Sequence, residues 1–277
     1  MGVSLRSKSR AVATVKAADT DSFLTSMPRT TNVAGSILLS SRQISVIERV
    51  RMLVFQIPAH VETVFFDIDG TLFDHRRAAD LAVTRFAHEH GTVDSQRAIR
   101  LWNDMEQKYF PRFERGELTF TDQRRARMRE FIGEDDMSDD ELDAMFSDYY
   151  VYYHDNWTSF PDVPAALSRC EDAHLIIGVI SNGDHAQQLD KLRRIGIDLD
   201  DDKVLTSDRL GFAKPDQRAF LTACTLMRTK PENSLMIGDD SVDDYDGARA
   251  AGLLAVLVDR SGCGGTDVVT SLDEIQC

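Results

Sequence analysis

One stretch constrains this chain more than any other: Val64-Phe65-Phe66-Asp67-Ile68-Asp69-Gly70-Thr71-Leu72. The run Val61 to Phe66 is short and β-branched or aromatic, so it reads as a buried strand. Asp67 then stands at the strand's carboxyl end, where open α/β sheets bind ligands. Gly70 permits a sharp turn with positive φ. Two carboxylates at such a point attract a hard cation, and Mg2+ prefers oxygen ligands and keeps several waters. A plain surface turn could have the same composition. The strand in front, and three matching stretches later in the chain, argue against it.

The rest of the chain alternates. From about residue 174 the expected order is a strand at His174–Ile180, a helix at Asp184–Ile195 and a strand at Lys203–Thr206. A helix at Asp216–Met227, a strand at Ser234–Ile237, a helix at Val242–Ala251 and a strand at Leu253–Val258 follow. That rhythm means βαβ units and a parallel sheet. Between Asp67 and this region lies a helical block, residues 76–158. Ile99, Trp102, Met105 and Tyr109 recur at helical spacing, and Pro111 should stop that helix. Ser138 with Glu141 is a capping-box pattern that opens another. The expected organisation is an N-terminal extension (1–58), an α/β core (59–75 and 159–277) and an all-helical insertion (76–158).

Charge separates the extension from the body. The first 60 residues hold eight Lys or Arg and three acids, whereas the remainder holds 24 bases and 43 acids. The overall charge of −14 argues against nucleic acid as a partner. No run reaches the length of a membrane span. Cys170, Cys224, Cys263 and Cys277 form no CxxC pair and read as reduced thiols of a cytoplasmic protein. Residues 1–58 are expected to be largely disordered, with a short helix at 42–55. Their basic, Ser-rich start also fits a transit peptide, which Asp19 and Asp21 weaken. Translation from Met27 or Met52 would lose no assigned feature.

Three later strands end in chemically loaded residues. Ser181-Asn182-Gly183 offers a hydroxyl and turn N–H groups that suit a phosphate. Lys214-Pro215-Asp216 sets a lysine before a helix. Asp239, Asp240, Asp243 and Asp244 crowd four carboxylates after Gly238, and such crowding calls for a cation or a lysine.

Asp67-Ile68-Asp69-Gly70-Thr71, Ser181-Asn182-Gly183, Lys214-Pro215 and Gly238-Asp239 with Asp244, Gly247, Ala248 and Gly252 follow the order of four motifs. In this the chain resembles the haloacid dehalogenase superfamily over about residues 61–260. The resemblance implies a Rossmann-like parallel sheet with a helical cap inserted between the first two motifs. It implies Asp67 as the nucleophile that forms an aspartyl-phosphate, and Asp69 as general acid and base. Ser181, with Asn182 and Gly183, would bind the phosphoryl group, and Lys214 would neutralise charge. Asp67, Asp239 and the Asp69 carbonyl would hold Mg2+, with Asp244 orienting the lysine or metal waters. Asp240 and Asp243 add charge beside that metal and could alter its choice.

Asp69 also sorts among the family's branches. Dehalogenases lack the second aspartate of the first motif, so its presence favours a phosphate reaction. The chain has no Asp-Lys-Thr-Gly-Thr, and Lys108 is the only lysine of the helical block. These points imply a Mg2+-dependent phosphatase of small phosphomonoesters, such as nucleotides, flavin mononucleotide, phosphoglycolate or sugar phosphates. A sugar phosphomutase and an idle binding protein on the same fold remain alternatives. No nucleic acid or membrane partner is expected, and the protein should be a monomer or homodimer. Arg112, Arg115, Arg124 and Arg125 could contact the substrate's polar part, and Tyr149, Tyr150, Tyr152, Tyr153 and Trp157 could stack a ring. Solvated arginines and packing aromatics are the plainer reading.

Overall fold

A computed structural model describes residues 54–91, 93–262 and 265–277. The expectations for residues 1–53 and for Cys263 lie outside the described residues. The first described strand, β1 (Phe55–Gln56), pairs in parallel with β8 (Ile275–Gln276) and ties the two ends of the described chain together.

The main sheet is parallel throughout. Its strands are β2 (Thr63–Phe66), β3 (Ile176–Ser181), β4 (Val204–Thr206), β5 (Ser234–Gly238), β6 (Leu254–Val258) and β7 (Val268–Val269), in the spatial order 4-3-2-5-6-7. β2 explains why the sheet sits where it does. Val64 and Phe66 face one hydrophobic cluster and Phe65 the other, all at most 1% exposed. Alternate side chains therefore enter different cores, and an unbroken apolar run is what a strand covered on both faces needs. Chain order reverses at β2: β3 and β4 lie on one side, β5 and β6 on the other. The carboxyl ends of β2 and β5 flank that switch point, where open sheets form their binding crevice.

Among the described residues, four helices after β2 make up the block: α1 (His75–Glu89), α2 (Ser95–Glu114), α3 (Phe120–Ile132) and α4 (Asp139–Asp155). α1 packs on α2 and α4, and α3 packs on α2 and α4. Ser138 and Glu141 form the expected reciprocal cap of α4. Pro111 does not stop α2, which runs on to Glu114. Proline removes only its own N–H from the ladder, and the later turn is rejoined where Arg115 N donates to the Pro111 carbonyl at 3.1 Å.

Past the block, α5 (Val163–Asp172), α6 (His185–Arg194), the short α7 (Ser207–Leu210), α8 (Gln217–Leu226) and the short α9 (Gly247–Ala250) connect the strands. The helix expected from Val242 begins differently. Residues 241–246 form one wide turn in which Tyr245 N donates to the Asp240 carbonyl at 3.1 Å. The Asp240 carboxylate starts it by accepting the Val242 and Asp243 N–H groups at 2.8 and 2.7 Å. Cys170 and Cys277 are free thiols whose sulfurs lie 3.8 Å apart. Among the described residues, no helix is long and apolar enough to cross a membrane.

Candidate active site

The loops after β2 and β5 meet at Gly70, and a second glycine lets the β5 loop fold back on itself. Gly70 has φ +95°, and a Cβ there would run into the Asp239 carboxylate. A Cβ at Gly238 would run into that of Asp244. Asp67 is locked to β5 because its N–H donates to the Ile237 carbonyl at 2.9 Å. From beyond β6, Arg260 donates to the carbonyls of Gly70 (3.2 Å) and Thr71 (2.8 Å) and pairs with Asp162 at 2.9 Å. Sequence reasoning missed this buttress, which spans 190 residues.

Lys214 lies at the centre. Its Nζ donates to Asp67 Oδ1 at 2.6 Å and to Asp244 Oδ1 at 2.5 Å, and all three residues are buried. Burial alone would lower the lysine's pKa, but Asp244 and Asp67 reverse that and hold it above its usual value. Burial pushes the Asp67 carboxyl well above the ordinary range. Lys214 opposes this, while Asp244, Asp239 and Asp69 add to it. Carboxylate oxygens of Asp67, Asp239 and Asp244 all fall within 4.8 Å of one another. Three acids face one lysine here, with oxygen donors only. That donor set fits a hard divalent cation such as Mg2+, and the open position of Asp239 leaves room for its waters.

Asp69 points elsewhere. Its Oδ1 accepts from Lys191 Nζ at 2.6 Å and its Oδ2 from Gln188 Nε2 at 2.9 Å, while His75 Nδ1 lies 3.9 Å away. Burial would raise its pKa, but Lys191, His75 and the Gln188 bond outweigh that and hold it low. Lys191 is 2% exposed. His75 bonds the Tyr153 hydroxyl at 2.7 Å and Glu106 at 3.2 Å, and Glu106 pairs with Arg127 at 3.0 Å. None of these partners carries a signal at motif scale. The available hint was Gln188 and Lys191, three residues apart on the helix that follows Ser181-Asn182-Gly183.

The Ser181 hydroxyl is buried and accepts from Gln188 Nε2 at 2.9 Å. Asn182 clamps the lysine loop: its Nδ2 donates to the Lys214 carbonyl at 3.0 Å and its Oδ1 accepts the Lys214 N–H at 2.8 Å. The Gly183 N–H donates to Ser207 Oγ at 3.0 Å.

A cavity of about 320 Å³ opens from Asp67 and Asp69 toward α2, α3 and α4. Arg124, Tyr149, Tyr150 and Tyr153 line it; Arg112, Arg115 and Arg125 do not. Those three pair with acids instead, Arg112 and Arg115 with Glu117 and Arg125 with Asp139 and Asp143. Tyr152 is bonded to Glu89 and covered by Arg85. Trp157 packs edge-on against Phe73, with ring centroids 6.0 Å apart.

The glyceraldehyde 3-phosphate phosphatase of Methanothermobacter thermautotrophicus is 32% identical over 208 residues, covering 72% of this chain and 85% of that protein. The phosphoserine phosphatase of Thermus thermophilus is 36% identical over 101 residues, which span 37% of this chain and 42% of that protein. The magnesium-bound HAD-hydrolase YfnB from Bacillus subtilis shares the fold, with a TM-score of 0.64 at 20% identity over 77% of this chain and 96% of that one. A family profile described as haloacid dehalogenase-like hydrolase matches residues 61–252. The chain therefore belongs to the haloacid dehalogenase-like hydrolases and is an enzyme of that family.

Proposed function

We propose that this hydrolase is a Mg2+-dependent phosphatase of small phosphomonoesters, working through a phosphoryl group carried on Asp67. The observation that carries this reading is the buried array of Asp67, Lys214 and Asp244 beside Asp239, at the switch point of the sheet. Asp67 attacks phosphorus, and the bond to the leaving oxygen breaks as Asp69 delivers a proton to it. Asp69 then takes a proton from water, water oxygen bonds to phosphorus, and Asp67 is released with free phosphate. Lys214 holds Asp67 in line and neutralises charge, and Ser181 receives the phosphoryl oxygens. When bound by Asp67, Asp239 and the Asp69 carbonyl, Mg2+ would supply the positive charge that the crowded acids lack.

Asp69 carries two roles, and its surroundings bear on both. Lys191 and Gln188 hold it as a carboxylate, fit to accept a proton from water. Donating one to the leaving group requires that hold to loosen when substrate enters. The helical block 76–158 is the cap in this reading, and His75 and Tyr153 stand near its two junctions with the core.

The test is phosphate release from nucleotides, flavin mononucleotide, phosphoglycolate, sugar phosphates and an aryl phosphate, with Mg2+ and with EDTA. Metal-dependent release supports the reading. No release from any ester by folded, metal-supplied protein refutes it.

A further inference from the structure

Most of the described arginines and lysines of the helical block meet an acid. Arg112 and Arg115 share Glu117, Arg125 and Arg129 meet Asp139, Arg127 meets Glu106, and Lys108 meets Glu130. Of the described cations there that lack an acid, Arg77, Arg97 and Arg100 are exposed and Arg124 is half-buried. Among the described residues, no acid lies within ion-pair distance of it, and Asp184 acts on it only from farther away. Its guanidinium carbon sits 3.9 Å from the Phe120 ring centre and 4.8 Å from that of Phe146. Ring faces shed water from a guanidinium without satisfying its N–H groups. Among the described residues one acceptor reaches them, Gln187 Oε1 at 3.2 Å from Nη2. Gln123, one residue back on α3, is 1% exposed, lines the same cavity, and has an amide oxygen with no partner among the described residues. A half-buried cation and an unsatisfied amide facing one cavity are costly to leave so, and a ligand's polar groups would satisfy both.

We propose that Arg124 recognises an anionic group, a carboxylate or a second phosphate, on the leaving-group part of the substrate, with Gln123 bonding a donor beside it. This rests on the phosphatase reading and narrows its substrate class. The phosphoryl end sits at Asp67, and the second anion reaches into the aromatic-walled end of the cavity. A fork of N–H donors suits either anion. Arg124 also explains how one cavity can serve both ends, since its acceptor Gln187 precedes Gln188, which holds Asp69.

Two matched pairs of esters test it: phosphoglycolate against 2-hydroxyethyl phosphate, and fructose 1,6-bisphosphate against fructose 1-phosphate. The wild type should favour the anionic member of at least one pair, and the pair that shows the preference identifies carboxylate or phosphate. Arg124→Met should lower kcat/KM for that anionic ester about 10- to 100-fold more than for its neutral counterpart, mostly through KM. Arg124→Lys should restore part of the preference, while Arg125→Met should keep it whole. Because the readout is a ratio within one preparation, partial misfolding cannot imitate it. Equal kcat/KM within both pairs, or an equal loss for charged and neutral esters in Arg124→Met, overturns the proposal and leaves the phosphatase reading standing. Failure of the wild type to hydrolyse any ester overturns both.

Discussion

The carboxyl edge of the sheet and the helical block handle charge in opposite ways. At the edge, Asp67 and Asp244 share one buried lysine and the open Asp239 stands beside them, so negative charge is in excess. In the block, most of the described cations meet an acid, mostly at the surface, and those that do not are exposed except Arg124. Paired charge makes a structure that stands without help. Unpaired charge raises the free energy of the empty fold and becomes favourable only when a ligand balances it. The edge lacks positive charge, which suits a metal ion, and the cavity end of the block lacks negative charge at Arg124, which suits an anion. The same physical test therefore singles out one candidate site in each of two regions of different architecture.

Substitutions can break this comparison at either end. The largest effect should come from Asp67→Asn, which keeps the shape of the edge and removes the attacking oxygen. We expect turnover to fall by roughly 10⁴-fold or more, as for other lost nucleophiles, measured as phosphate release. If the excess charge is merely structural, turnover will survive. Next in size is metal itself. Saturating Mg2+ should stabilise the wild type by about 3 kcal/mol at a hundredfold excess over its dissociation constant, and EDTA should remove the gain. Asp239→Asn should abolish that gain, yet make the metal-free protein about 1 kcal/mol more stable by relieving repulsion. Calorimetry with and without Mg2+ reads both signs.

Paired sites should respond in the opposite sense. Asp162 is buried and accepts from Arg260, from the Ser271 hydroxyl at 2.7 Å and from the Leu272 N–H at 2.8 Å. Burial would raise its pKa, but these donors outweigh that and hold it below the usual range. A depressed carboxyl stabilises the fold above its unfolded pKa of about 3.9, and the gain disappears as pH falls through the folded value. Asp162→Asn should therefore cost about 2 kcal/mol at pH 7 and progressively less below pH 4, read by urea unfolding at each pH. The smallest effect belongs to Arg125→Ala. Its partners Asp139 and Asp143 are 58% and 42% exposed, so the loss should stay under about 1 kcal/mol with turnover kept.

The two regions also differ in how legible they were in the sequence. At the edge, strand period and turn chemistry place Asp67, Ser181 and Asp239 at strand ends and Lys214 just before a helix, because each depends on its own few neighbours. The alternation that implied a parallel sheet is local in the same way. Partners brought by the fold left no such mark. Lys191 reads as a solvated helix lysine, yet it closes on Asp69 across 122 residues and is almost fully buried. Glu106, His75 and Arg127 come from three helices, and only packing makes them one chain of contacts. Arg112, Arg115, Arg124 and Arg125 were indistinguishable as letters, and what separates them is which one lacks an acid. Pro111 and the wide turn at 241–246 misled for a related reason, since rules for helix ends describe an isolated segment and tertiary contacts decide whether it continues. In the turn, the Asp244 carboxylate accepts the Asp240 N–H at 3.0 Å and also meets Lys214.

Whether the excess negative charge at the sheet edge belongs to a nucleophile can be tested on the reacting atom. The enzyme would be mixed with Mg2+ and an ester that it turns over, quenched in acid within one turnover, and the peptide carrying Asp67 weighed. An adduct of one phosphoryl group is expected on that peptide, removed by hydroxylamine and absent from Asp67→Asn. Full turnover with no adduct on that peptide, and with Asp67→Asn still active, would contradict it.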